Sequence, residues 1–122
     1  MIKLVCFITF ALWFNSANSQ TAKELIGKWQ LVGWSHNGNE KDIKDYFRTD
    51  QVFQEFMENG KFLSTISREK HHGKWQLSQD NKELHTKSTL MPMVFQIEYF
   101  DSEKRIVTCP QFGRFEYKKV EE

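Results

Sequence analysis

The chain has 122 residues, a net charge of +1, 39% hydrophobic residues and 15% aromatic ones. That length supports one domain with a modest core. The near-neutral balance gives no electrostatic basis for binding nucleic acid or an anionic membrane, so neither is expected as a partner.

Met1 to Ser19 has the pattern of a secretory signal peptide. Lys3 is the positive start, Leu4 to Phe14 the apolar core, and Ala17-Asn18-Ser19 the small-residue exit before Gln20. The apolar run is too short to span a bilayer, and no later segment is apolar enough to anchor the chain. An uncleaved N-terminal anchor is the rival reading. The expected mature domain is Gln20 to Glu122, exported to a periplasm or secreted, with no membrane insertion after cleavage. Cys6 lies in the leader and Cys109 would then stand alone, so no internal disulfide is expected. Cys109 ends Ile106-Val107-Thr108-Cys109, which reads as a strand, and a structural thiol is the favoured reading over a nucleophile.

The first strand is expected over Leu25 to His36, with Trp29 and Leu31 on one face. Its Gly-Lys-Trp-Gln-Leu segment at Gly27 to Leu31 recurs at Gly73 to Leu77, which reads as a repeated strand opening with an inward indole. Asn39 to Arg48 then departs from strand chemistry. Ile43, Tyr46 and Phe47 fall at helical spacing, and Asn39 is the expected cap. This short helix is either a plug sealing one end of the core or a lid over a cavity.

Gln51 to Met57 and Lys61 to Ser67 are joined by Asn59-Gly60, a hairpin signal. A two-residue turn pairs Glu58 with Lys61, sets Glu55 opposite Ser64 and Phe53 opposite Ile66 on the inward face, and leaves Phe56 and Leu63 outside. Gly73 to Leu77 and Glu83 to Thr89 pair Leu77 with Leu84 and Trp75 with Thr86. Val94 to Phe100 and Arg105 to Cys109 form the next hairpin, with Phe95, Ile97, Tyr99 and Ile106 on one face. Gly113 to Lys119 is last and places Phe115 and Tyr117 together. Eight strands with short connections and no crossover helix predict an all-β, antiparallel up-and-down barrel, with a two-sheet sandwich as the rival.

Several of these segments resemble small secreted bacterial lipocalin-like domains: Leu25-Ile26-Gly27-Lys28-Trp29, Asn59-Gly60-Lys61-Phe62, Gly73-Lys74-Trp75-Gln76-Leu77, Leu84, and Glu116-Tyr117-Lys118-Lys119-Val120. The resemblance implies that Trp29 packs across one barrel end, where an arginine from the last strand covers it, with Arg114 as the matching residue. It also implies a carrier or sensor of a small apolar molecule. The chain departs from ordinary lipocalins in its shortness, in its lack of a disulfide, and in offering only Tyr99-Phe100-Asp101 where they carry Thr-Asp-Tyr.

An apolar interior with a few polar groups suits a small ligand, and Glu55, Phe53, Ser64, Tyr99 and Tyr117 are the expected ligand-facing residues. Large aromatic side chains compete for the same space, so a filled core is the alternative. In that alternative the protein is an interaction module for a protein partner, using Trp34, Phe56 and Leu63 as an exposed patch. His71-His72 with His85 fails as a metal site. His72 falls opposite Thr89, four strand residues or about 13 Å from His85, whereas ligands bind at about 2 Å. No catalytic spacing appears, and no enzyme activity, metal or cofactor is expected.

Overall fold

The computed structural model describes residues 21–121, so the expected leader Met1 to Ser19 lies outside the described residues. Residues 21–25 form a helical turn, α1, that buries Leu25. β1 (Gly27–His36) follows, then a turn at Asn37-Gly38 with both residues at positive φ, and the two-residue β2 (Asn39–Glu40) folding back on β1. α2 (Ile43–Phe47) is shorter than the expected Asn39 to Arg48 helix. Asn39 pairs with His36 in the hairpin, and Asp42 caps the helix instead, its carboxylate accepting from the Asp45 amide at 3.0 Å.

β3 (Val52–Phe56), β4 (Lys61–Ile66), β5 (Glu69–Leu77), β6 (Glu83–Ser88), β7 (Pro92–Phe100), β8 (Lys104–Cys109) and β9 (Gly113–Lys119) form an antiparallel meander. β1 pairs with β3 on one side and with β9 on the other, so eight strands close into an up-and-down barrel. β2 pairs with the His36 end of β1, beyond the stretch that β3 pairs with. Closure leaves no long exposed edge on the barrel. At Gly73 a Cβ would collide with the Lys87 carbonyl oxygen, so the second copy of the repeated pentapeptide opens with glycine because β5 and β6 approach closely there.

The β5–β6 register is the expected one, Trp75 opposite Thr86 and Leu77 opposite Leu84. Three other strands depart from expectation, each by one residue. Between β3 and β4 the loop has three residues, with the Met57 amide donating to Lys61 O at 2.9 Å and the Gly60 amide to Met57 O at 3.2 Å. Gly60 takes φ +82, the left-handed residue that such a loop requires. Phe56 therefore faces Phe62, Gln54 faces Ser64 and Glu55 faces Leu63. Val52, Gln54 and Phe56 point inward, and Phe53 and Glu55 point outward beside Lys28.

The second departure is a bulge in β1 between Leu31 and Gly33, which leaves Val32 unpaired and turns Trp34 inward. The third is a bulge in β7 between Ile97 and Tyr99. It keeps Phe95 and Ile97 inside, brings Phe100 inside after them, and turns Tyr99 out, where it is 47% exposed. Ile106, opposite Tyr99, is on the outer face as well, while its neighbours Arg105, Val107 and Cys109 point in. The proposed outer patch of Trp34, Phe56 and Leu63 does not form, because Trp34 and Phe56 belong to the core.

Trp29 is fully buried, and its indole N–H donates to Leu25 O at 2.8 Å. Truncating it to Ala removes a large side chain from a site that cannot collapse. Trp29→Ala is expected to cost about 3–5 kcal/mol, read as a lower chemical-denaturation midpoint with an unchanged slope.

Candidate functional site

The two ends of the barrel are built differently. At one end α1 lies across the opening. Ile26 N donates to Ala22 O, and the Asn81 amide in the β5–β6 turn reaches Thr21 Oγ1 at 3.3 Å. The Lys119 ammonium donates to Glu24 O at 2.7 Å and Ile26 O at 2.6 Å, and sits 4.8 Å from the centre of the Trp29 ring. Burial, aided by the Arg105 charge, lowers the Lys119 pKa, and Glu24 opposes the shift. Phe100 packs against Trp29 from β7 at 5.9 Å. This end is sealed.

Immediately inside the seal lies Arg105, with no exposed surface. Its guanidinium carbon is 5.1 Å from the Trp29 ring centre, 5.0 Å from Phe56 and 4.2 Å from Tyr117. Nη2 donates to Gln54 Oε1 at 2.8 Å. Burial pulls the Arg105 pKa down to about 10, with Tyr117 acting in the opposite direction, so the group stays charged at neutral pH. Burial also pushes the Tyr117 phenol up to about 12.

The other end opens into a cavity of about 190 Å³. Leu31, Val52, Phe62, Met93, Phe95 and Phe115 supply apolar wall, and Gln54, Ser64, Thr86, Ser88 and Tyr117 supply its polar points. Among the described residues no charged side chain lines it. The rim is made by α2 and the connection from β6 to β7, where Tyr46, Leu90 and Met91 are 61%, 55% and 42% exposed. Tyr46 meets the Trp34 ring edge-on at 4.9 Å and Phe47 lies 5.9 Å from the same ring. Trp34 is held by its indole N–H donating to Phe112 O at 2.7 Å. Tyr46 and Phe47 thus lean on one fixed aromatic at the mouth, and Ile43 packs on the core beside them. The helix buries none of its residues.

Two solved structures share this architecture. A lipocalin-like protein from Bacteroides uniformis superimposes with a TM-score of 0.64 at 17% identity, covering 80% of this chain and 99% of that one. The fold is lipocalin-like. An uncharacterized protein from Bacteroides eggerthii matches at a TM-score of 0.64 and 15% identity, covering 79% of this chain and 99% of its own. No family model matches the sequence, and neither does any curated protein.

Within the lipocalin-like barrel, the expected ligand-facing residues divide. Ser64 and Tyr117 line the cavity. Phe53 borders it between Val52 and Gln54, but its ring lies under the Lys28 ammonium at 4.5 Å on the outer face. Glu55 is outside, because the three-residue β3–β4 loop moves Gln54 into the position expected for it. Tyr99 is outside beyond the β7 bulge, its hydroxyl donating to Asp101 Oδ2 at 2.6 Å. Trp75 is half-buried against the core, with its N–H donating to Met57 O at 2.9 Å.

Arg114 does not cover Trp29. It is the second residue of β9, at the open end opposite Ser35, and its Nε lies 3.4 Å from Glu98 Oε1. Lys119, five residues further along β9, is the covering cation from the last strand, and Arg105 flanks the indole from β8. His85 pairs with Glu83 at 3.0 Å and His71 with Thr89 at 3.3 Å. Among the described residues no group of three or more His, Cys, Asp or Glu side chains is placed to hold a metal ion. Arg105, Gln54, Trp34 and Phe112 are the site residues that sequence reasoning missed.

Tyr117 provides a test of the buried polar floor. Its folded pKa is raised, so its contribution to stability is intact below pH 10 and is lost as the pH climbs towards 12, where the unfolded chain ionises first. Tyr117→Phe should remove that loss. Between pH 9 and pH 11 the parent's unfolding free energy is expected to fall by roughly 1 kcal/mol more than that of the variant, measured by urea denaturation at each pH.

Proposed function

We propose that the barrel takes up a small, mainly apolar molecule through its α2 end, as a carrier or sensor without catalysis. The observation carrying this reading is the contrast between the ends: one sealed by α1, Trp29 and Lys119, the other opening into an apolar cavity. The volume of about 190 Å³ limits the size of the occupant. It lies below the roughly 300–1,000 Å³ of drug-sized pockets and above the roughly 150 Å³ that admits benzene. A single ring or a short aliphatic chain is therefore the fitting class. Ser64, Thr86 and Ser88 give such a molecule a few hydroxyl contacts without demanding charge.

In this reading Tyr46 and Phe47 are the lid. The exposure of Tyr46 and the shortness of α2 support a movable element over a permanent plug. The leader pattern of Met1 to Ser19 supports action outside the cytoplasm. N-terminal sequencing of protein recovered from the envelope fraction or the medium tests that part, with Gln20 as the expected first residue.

The lid is tested by replacing Tyr46 and Phe47 together with Ser. Dissociation of a single-ring environment-sensitive dye, small enough for the cavity, should speed up severalfold while the denaturation midpoint moves little. Unchanged dye binding with a collapsed midpoint rejects the lid in favour of a plug. A parent protein that binds no apolar dye rejects the carrier reading.

A further inference from the structure

The deepest side chain of the barrel is a cation that its surroundings leave unfinished. Of the five N–H donors of Arg105, the protein engages Nη2 through Gln54, and Nε and Nη1 are buried with no hydrogen-bond partner among the described residues. No Asp or Glu among those residues is ion-paired with it. The rings of Trp29, Phe56 and Tyr117 compensate part of its charge. A π face is nevertheless a weak acceptor, so stacking does not satisfy the idle N–H groups. A buried guanidinium without an anion is costly, and an apolar residue of similar volume would fill the same space without that cost.

The position of this cation relative to the cavity gives it a purpose. Gln54 and Tyr117 both line the cavity, and both touch the guanidinium, the first by its hydrogen bond and the second by its ring. They form the floor that separates the apolar space from the charge. A head group that enters between them, or that swings the Gln54 amide aside, meets the free N–H donors of Arg105. Since the described residues lining the cavity are uncharged, the sign of the recognised group is set by Arg105 behind its floor.

We propose that the molecule held in the barrel is an apolar carboxylate, with its carboxylate bound at the floor by Arg105 and its hydrocarbon part filling the cavity towards Tyr46 and Phe47. This rests on the ligand-binding reading above and adds the head group to it. One positive charge suits a monoanion. Charge-assisted hydrogen bonds from guanidinium to carboxylate are the strong class of such contacts, and more so in a water-poor interior. Gln54 acts as the placeholder for the unliganded state, accepting the bond that the carboxylate would otherwise share.

The test uses two probes of one chain length, octanoate and 1-octanol, titrated calorimetrically into the folded protein at pH 7. The parent is expected to bind octanoate about ten- to a hundredfold more tightly, the worth of a charge-assisted hydrogen bond. Arg105→Met should bring the two affinities together. A measurement on the parent alone guards against a variant that fails to fold: the Arg105 Nε–H proton resonance should move downfield with octanoate and stay in place with 1-octanol. Equal affinities for the two probes, with no shift of that resonance, overturn the carboxylate and leave the apolar-ligand reading standing. Binding of neither probe overturns both.

Discussion

The cation held against the Trp29 indole organises this barrel. Arg105 comes from β8, Phe56 from β3, Tyr117 from β9 and Trp29 from β1, so one guanidinium gathers four strands around a single point. Lys119 adds the second cation from outside and ties β9 to α1. With aromatic rings packed about both positive charges, this end has little freedom to breathe. The same polar load at the far end would have filled the space that is now the cavity.

That asymmetry is what gives the site a depth axis. Above the guanidinium come Gln54 and Tyr117, then a belt of Phe, Leu, Val and Met, and last the exposed aromatic rim of α2. The charge lies behind the floor, and the walls above it carry only the neutral hydroxyls of Ser64, Thr86 and Ser88. An amphipath entering such a space must lead with its polar end, and desolvation of that end is recovered only on arrival.

Much of the fold was legible in the sequence because strand alternation and turn residues are local signals. The eight barrel strands, their order and the β5–β6 register all follow from them. The register errors share one physical cause. A single extra residue at Val32, at the β3–β4 loop or at Glu98 inverts every side chain beyond it. The Asn-Gly dipeptide shows why such insertions escape notice. At Asn37-Gly38 both residues take positive φ and make a two-residue hairpin, whereas at Asn59-Gly60 only the glycine does, and the loop gains a residue. The site was less legible than the fold. Alternation puts Ser64 and Tyr117 on the inward face, where they line the cavity, whereas the shifts turn Glu55 and Tyr99 outward. Arg105 went unseen because an arginine beside Ile106 reads as the outward member of the pair. Only the packing of Trp29 from another strand reverses that assignment.

The closing ladder between β1 and β9 has a consequence for how the molecule is made. Successive strands from β3 to β9 are neighbours in sequence, whereas Trp29 waits for Lys119, the last residue of the last strand. A nascent chain can therefore build the meander as it emerges, but cannot complete the cylinder until residue 119 is free. During that interval β1 and the growing end of the sheet are open edges of matching register. Two chains caught together at this stage can each lend β9 to the other's β1, producing an intertwined dimer with every native ladder intact.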